Sequence, residues 1–199
     1  MKYLSMSLAA RCSLAALCLS APLVQADHSQ GFYLGGGAYY AEGEALAGPT
    51  ATRDELGLPA LEFSAGYKYN SLLGVEIRYG MGTDEKFLSA TGAVNSLEYV
   101  IDSSQSIYYR AELSNHEAKL YFLLGHTELD ATETLVADDT ETAMSYSGLS
   151  YGLGVGWFVD KNWNINIEYR ALIDDDEAEL TATNVSIDYR FKGKGLKFW

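Results

Sequence analysis

From Val185 onward, the stretch 180–191 (LTATNVSIDYRF) alternates strictly: Val185, Ile187, Tyr189 and Phe191 fall on one face, Asn184, Ser186, Asp188 and Arg190 on the other. A period of two is the mark of a β-strand with one apolar face. Similar segments precede it. GFYLGGGAYYA from Gly31 sets Phe32, Leu34, Ala38 and Tyr40 on one face, and its glycines leave room for bulky neighbours. Leu61–Tyr69 opposes Leu61, Phe63, Ala65, Tyr67 and Tyr69 to Glu62, Ser64, Gly66 and Lys68; Val75–Met81 opposes Val75, Ile77, Tyr79 and Met81 to Glu76, Arg78 and Gly80. Ile107, Tyr109, Ala111 and Leu113 oppose Tyr108, Arg110 and Glu112. Ser147–Val159 has Leu149, Tyr151, Leu153, Val155, Trp157 and Val159 against a face of glycine and serine. From Trp163 to Ile173, Trp163, Ile165, Ile167, Tyr169, Ala171 and Ile173 oppose Asn164, Asn166, Glu168 and Arg170; a helix would scatter these apolar residues all round. Lys119–Thr127 is apolar on both faces, so its parity stays open.

Eight strands result, mostly about 9–11 residues long, the length that a tilted strand needs to cross a bilayer. Their connections alternate. Short turns at Asn70-Ser71, Ser114–Glu117 and Asp160–Asn162 separate longer polar connections at Glu42–Pro59, Gly82 to about Ser103, and Glu128 to about Ser145; a short acidic loop, Asp174–Glu179, precedes the last strand. Short turns at one end and long loops at the other are the habit of an up-and-down outer-membrane barrel. The expected fold is therefore all-β, an eight-stranded antiparallel up-and-down transmembrane β-barrel. Tyr69, Leu113, Trp157, Trp163 and Phe191 collect near the short-turn end, as an interfacial girdle would.

The N-terminus sets the compartment. Lys2 and Arg11 precede the short apolar run Cys12–Leu23, and Val24-Gln25-Ala26 ends it with a cleavage pattern; the reading is a secretory signal peptide, 1–26. Both cysteines, Cys12 and Cys18, lie inside it, so the mature chain has no disulfide framework. Cleavage takes the formal charge from −13 to −15, because Lys2 and Arg11 are lost, and so acidic a chain is not a generic nucleic-acid binder. After residue 26 no apolar run is long enough for a transmembrane helix. The barrel then occupies 27–191, and 192–199 (KGKGLKFW) form a short basic tail. The 15 tyrosines favour a membrane strand protein. A soluble lipocalin-like barrel would need the charged faces in water and the Trp-rich faces around a ligand, and one consistently lipid-like face on the strands opposes it.

The opening GFYLGGGAYY, YYRAEL of the fourth strand, LLGHT of the fifth, SYGLGVGW of the sixth and the closing VSIDYRF resemble the small outer-membrane β-barrel family that includes the OmpA transmembrane domain and OmpX-like proteins. The resemblance spans the mature chain. It implies a Gram-negative outer-membrane location, contact with outer-membrane lipid and lipopolysaccharide, insertion by the barrel-assembly machinery, and a monomer. It also implies that Val185, Ile187, Tyr189 and Phe191 form the assembly signal, although the chain runs on past Phe191. It leaves no room in this chain for a peptidoglycan-binding domain.

With the apolar faces toward lipid, Glu62, Lys68, Glu76, Arg78, Arg110, Glu112, Glu168, Arg170, Asp188 and Arg190 enter the lumen: five acids and five bases. Buried charges must pair, and an eight-stranded barrel is just wide enough for side chains to fill. The expectation is a packed ion-pair network of structural role, without a wide pore. Switching pairs would instead give a narrow gated conductance. A lipid A-modifying enzyme is the other alternative. His28 lies in the N-terminal arm and His116 in a periplasmic turn; only His126, with Glu128 and Ser145, Ser147 or Ser150, lies toward the outer side, and no acyltransferase- or deacylase-like motif surrounds it. No catalytic, cofactor or metal site is assigned. The acids Asp130, Glu133, Asp138, Asp139, Glu141, Asp174, Asp175, Asp176, Glu177 and Glu179 suit hard divalent cations that could bridge to lipopolysaccharide, but not at calcium-loop spacing. The expected role is structural, envelope-stabilising or adhesive.

Overall fold

Residues that alternate in the sequence alternate in space in the computed structural model, which describes residues 30–45, 56–83, 87–89, 97–135, 140–174 and 178–191. The strands are β1 (Gly31–Ala45), β2 (Leu56–Lys68), β3 (Leu73–Gly82), a three-residue β4 (Phe87–Ser89), β5 (Leu97–Ser114), β6 (Ala118–Leu135), β7 (Thr140–Phe158), β8 (Trp163–Asp174) and β9 (Ala178–Arg190). All pairings are antiparallel between chain neighbours, apart from two closures. β1 pairs with β9, and β3 pairs with β5 beneath the short β4 ribbon. Eight strands thus close into one barrel, with β4 an addition to the upper end of β5.

The register fixes the barrel's shape. Following partners from Leu34 through Ala65, Ile77, Ile107, His126, Leu149, Asp174 and Glu179 returns to β1 at Glu44, ten residues farther on. With a rise of about 3.3 Å per residue and strands about 4.8 Å apart, that stagger tilts the strands by about 40°. Each step from β1 toward β9 along a hydrogen-bonded row therefore climbs about 3 Å. The exposed apolar side chains form a band from Tyr69, Trp157 and Phe191 up to Tyr40, Met81 and Leu149. At the lower rim Trp163, Tyr189 and Phe191 pack edge to face, with centroids 4.9 and 5.0 Å apart.

Several strands run farther than the alternation indicates. The expected loop Glu42–Pro59 is shortened from both sides, since β1 continues to Ala45 and β2 begins at Leu56, with Pro59 paired to Tyr40. The expected loop Glu128–Ser145 is a ladder instead: β6 and β7 stay in register up to Leu135↔Thr140. Glu179 likewise belongs to β9, paired with Asp174. The strands are accordingly up to 19 residues long. The physical reason is common to all three. Above the lipid the outward face of a strand turns polar, so the lipid-facing half of the period-two signal vanishes although the backbone ladder goes on. Residues 1–26, His28, the tail 192–199, and Asp138, Asp139, Asp175, Asp176 and Glu177 lie outside the described residues.

Candidate functional site

All ten charged residues assigned to the lumen point inward and are buried. They form three linked tiers. At the periplasmic end, Lys68 Nζ donates to Glu112 Oε1 at 2.8 Å, and Arg190 Nη2 donates to both oxygens of Glu112 at 2.9 Å. Above them Glu76 receives Arg110 Nη1 at 2.7 Å, Arg78 Nε at 2.5 Å and the Tyr33 hydroxyl. In the next tier Arg78 grips Glu168 with two bonds of 2.8 and 2.9 Å and reaches Glu62 at 3.0 Å. Glu62 also accepts Arg170 and the Asn184 amide. Arg78 therefore joins three carboxylates, which its fork of five donors permits and a lysine could not match.

β6 adds a member that the sequence left undecided. Its inward residues are Lys119, Tyr121, Leu123 and Thr127, while Phe122, Leu124 and His126 face outward. Lys119 Nζ donates to Asp188 at 2.9 Å, and Asp188 also receives the amides of Asn164 and Asn166. The buried lumen among the described residues thus holds five carboxylates and six cations, which corrects the expected balance of five and five. The pairing geometry could have been anticipated only by fixing the parity of 119–127, and a doubly apolar strand gives no such signal.

Tyrosines and glycines fill the space between charges. Tyr33 pairs across the ladder with Gly66, and Tyr121 with Gly154. A Cβ on either glycine would lie 2.2 Å from the tyrosine ring. The missing side chain lets each ring fold flat across the neighbouring strand. Both rings then cover Arg110, whose guanidinium carbon lies 3.8 Å from the Tyr121 centroid and 5.4 Å from that of Tyr33. Arg110 Nε and Nη2 have no hydrogen-bond partner among the described residues, so the ring faces supply much of its compensation.

Above the charges the lumen changes character. A hydroxyl layer comes first: Ser106 to Thr127 at 2.8 Å, Tyr108 to Ser150 at 2.7 Å and Tyr39 to Ser104 at 3.1 Å. Ala41, Leu58, Ala60, Ile101, Leu129, Ala131, Leu172, Ile173, Leu180 and Ala182 then form one buried cluster with Tyr39. The expected ion-pair network therefore fills only the lower part of the lumen. The extracellular half is an ordinary apolar core, drawn from β1, β2, β5, β6, β8 and β9. Two bulges, at Ile101/Ser103 and Ala171/Ile173, turn Ile101 and Ile173 into it.

The candidate catalytic residues do not converge. His126 faces outward and makes no hydrogen bond with a serine or an acid among the described residues. Ser150 is buried inside and donates to the Ala171 carbonyl at 2.8 Å, while His116 sits in the exposed periplasmic turn. Among the described residues no group of three or more His, Cys, Asp or Glu could hold a metal ion. On the last strand Val185, Ile187 and Phe191 are exposed toward lipid and Tyr189 is half-buried between Trp163 and Phe191. The Phe191 amide donates to the Phe32 carbonyl at 2.9 Å, extending the closing seam to that residue.

The family model for the outer membrane protein beta-barrel domain matches residues 12–191. No curated protein is significantly similar in sequence. Among solved structures, Ail, the attachment invasion locus protein of Yersinia pestis, aligns with a TM-score of 0.58 at 16% identity, over 82% of this chain and 99% of that one. Neisserial surface protein A gives 0.57 at 16% identity, over 81% and 97%. The N-terminal β-barrel domain of Pseudomonas aeruginosa OprF gives 0.53 at 12% identity, over 81% and 99%. Identities this low speak for the fold, and the family match carries the membership: this chain belongs to the outer membrane protein beta-barrel domain family and is integral to the bacterial outer membrane.

Proposed function

We propose that the protein is a non-enzymatic surface barrel whose work is done by its extracellular ends, in adhesion or envelope stabilisation, and not by transport through its lumen. The observation that carries this is the apolar cluster closing the outer half of the barrel above a fully packed charge network. An ion entering from outside would have to cross a buried, leucine-lined layer, a barrier of several kcal/mol for an unpaired charge. What remains for function is the surface that stands above the lipid. There β5, β6 and β7 rise together as a paired sheet, with Asp102, Glu128, Asp130 and Glu141 exposed on it. Among the described residues above the apolar band there is no Lys or Arg. The partner chemistry that fits is therefore basic, and binding should weaken with salt. One solved structure of Ail is a complex with the heparin analogue sucrose octasulfate; the acidic surface here disfavours so anionic a ligand.

Cells expressing the protein, and a variant with 132–142 replaced by a tight turn, test the adhesive reading on a polylysine-type basic surface. Loss of attachment in the shortened variant, with the barrel still heat-modifiable, is the expected result; equal attachment by both refutes it. Porin-sized openings of refolded protein in planar bilayers would refute the closed lumen. Monomeric assembly through the barrel-assembly machinery, using Val185, Ile187, Tyr189 and Phe191, belongs to the same proposal.

A further inference from the structure

We infer that the periplasmic end of the lumen binds one small monovalent anion of the chloride class, held by Lys68, Lys119 and Arg190. This inference rests on the charge network and not on the adhesive reading, so each can fail alone. The network divides by its pairings. Arg78, Arg110 and Arg170 contact Glu62, Glu76 and Glu168, three cations for three carboxylates. Below them Lys68 and Arg190 both pair with Glu112, and Lys119 pairs with Asp188. That tier has three cations for two carboxylates, and the 3.4 Å approach of Arg110 Nε to Glu112 makes a further claim on the same acid. The surplus positive charge of the lumen therefore sits at its periplasmic end.

Spare hydrogen-bond donors sit on the same three residues. Arg190 is 7% exposed, and its Nε and Nη1 have no hydrogen-bond partner among the described residues, because only Nη2 engages Glu112. Lys68 and Lys119 each give one of their three ammonium donors to a described carboxylate. Register and strand tilt bring Lys68 on β2, Lys119 on β6 and Arg190 on β9 to within about 2 Å of one level, with Glu112 and Asp188 above them. An eight-stranded barrel is only as wide as the side chains that fill it, so three inward cations at one level share its axis. Neutral acceptors do not remove their charge. Asn164 and Asn166, which hold Asp188, each have an unpartnered Oδ1. Such an amide oxygen, like a water molecule, can take an N–H and leaves the surplus where it was. An anion supplies the acceptor and the charge together. One negative charge balances the tier, whereas a divalent anion would overshoot it and bury a new excess. Burial sets the size, since the Lys68, Lys119 and Arg190 side chains are 4%, 0% and 8% exposed, which suits a compact ion. The apolar cluster of the outer half lies beyond, so the ion is held and not conducted.

Urea unfolding of the refolded protein in zwitterionic vesicles tests this, with chloride raised from trace to physiological levels against gluconate at constant ionic strength. Constant ionic strength holds screening fixed, so the titration reads bound ion. One site possessed by the folded barrel alone should lower the unfolding constant about tenfold for each tenfold rise in chloride above Kd. Bromide should act as chloride does, and sulfate should not. Lys68→Met removes the surplus and leaves Glu112 with Arg190, so its unfolding should lose the chloride dependence. Lys119→Met should lose it too, and serves if Lys68→Met gives no heat-modifiable folded band. Lys161→Gln removes an exposed lysine from the periplasmic turn and should keep the dependence in full. A wild type indifferent to chloride overturns the site, as does equal dependence in the lumen variants. Loss of the dependence in Lys161→Gln would assign it to the surface and overturn the site as well; sulfate acting as strongly as chloride overturns the monovalent class.

Discussion

Glu76→Gln is the sharpest probe of the charge network, because one carboxylate holds the middle tier together. Glu76 is 1% exposed and receives Arg78, Arg110 and Tyr33. Removing its charge leaves Arg78 with Glu62 and Glu168, but leaves Arg110 with only the longer 3.4 Å approach of its Nε to Glu112. The principal consequence is one under-compensated guanidinium at the barrel centre. Breaking a buried pair from one side costs about 3–5 kcal/mol; the amide oxygen still accepts and the two tyrosine rings still cover Arg110, so the lower end, about 3 kcal/mol, is expected. The assay is urea unfolding in lipid vesicles, followed by tryptophan fluorescence and by the mobility of unboiled samples. The midpoint should fall while the slope stays nearly constant, since the surface exposed on unfolding is unchanged. Glu76→Met/Arg110→Met removes both partners and should recover most of the loss, because an apolar pair of similar volume needs no counter-charge. A loss under about 0.5 kcal/mol for Glu76→Gln, the scatter of an ordinary surface change, would refute the reasoning. So would a double variant no better than the single one.

Gly154→Val places a branched side chain where even a Cβ would stand 2.2 Å from the Tyr121 ring; displacement of that ring from Arg110 should cost about 1–3 kcal/mol, and Tyr121→Ala in the same chain should relieve part of it in the same urea assay. Ile187→Arg sets a charge on the lipid-facing seam strand, where Ile187 is 44% exposed; about 2–4 kcal/mol is lost for Arg at mid-membrane, so the heat-modifiable band should disappear, and normal assembly would reverse the assigned facing. Leu129→Ala opens a cavity in the extracellular cluster at a cost of about 2–5 kcal/mol; an unfolding midpoint equal to wild type would show that this cluster is not a packed core.

The sequence made the lipid-facing half of this protein readable and hid much of the rest, and the reason lies in contrast. Where one strand face meets lipid and the other meets charge, as at Glu76, Ile77 and Arg78, every second residue reports its side. Strand count, closure of β9 on β1 and the ten lumen charges all follow from that contrast. It fails in two places. Along Lys119–Thr127 the inward set is itself largely apolar, with Tyr121 and Leu123 buried beside outward Phe122 and Leu124, and so Lys119 escaped the network. In 128–135 and 140–145 the outward face leaves the bilayer, and residues such as Glu128, Asp130 and Ser145 on it read as a loop although Leu129 and Ala131 still point inward and the ladder continues. The aromatic girdle was legible for the same reason as the strands, since Trp157, Trp163 and Phe191 mark a boundary between two solvents.

The change of character along the lumen is a consequence of how such a barrel must be sealed. A closed charge network is stable only if water and stray ions do not compete for its members, and at the periplasmic end Lys68 and Arg190 are already paired with Glu112, and Lys119 with Asp188. Among the described residues the outer end offers no opposite charges, since those above the apolar band include no Lys or Arg. Apolar packing closes that mouth without needing partners, and the hydroxyl layer of Tyr39, Ser104, Ser106, Thr127 and Ser150 grades one environment into the other. The acidic outer surface and the leucine-lined layer are then two sides of one arrangement. None of the exposed acids Asp102, Glu128, Asp130 and Glu141 belongs to the apolar plug, and that separation is what the proposed surface role requires.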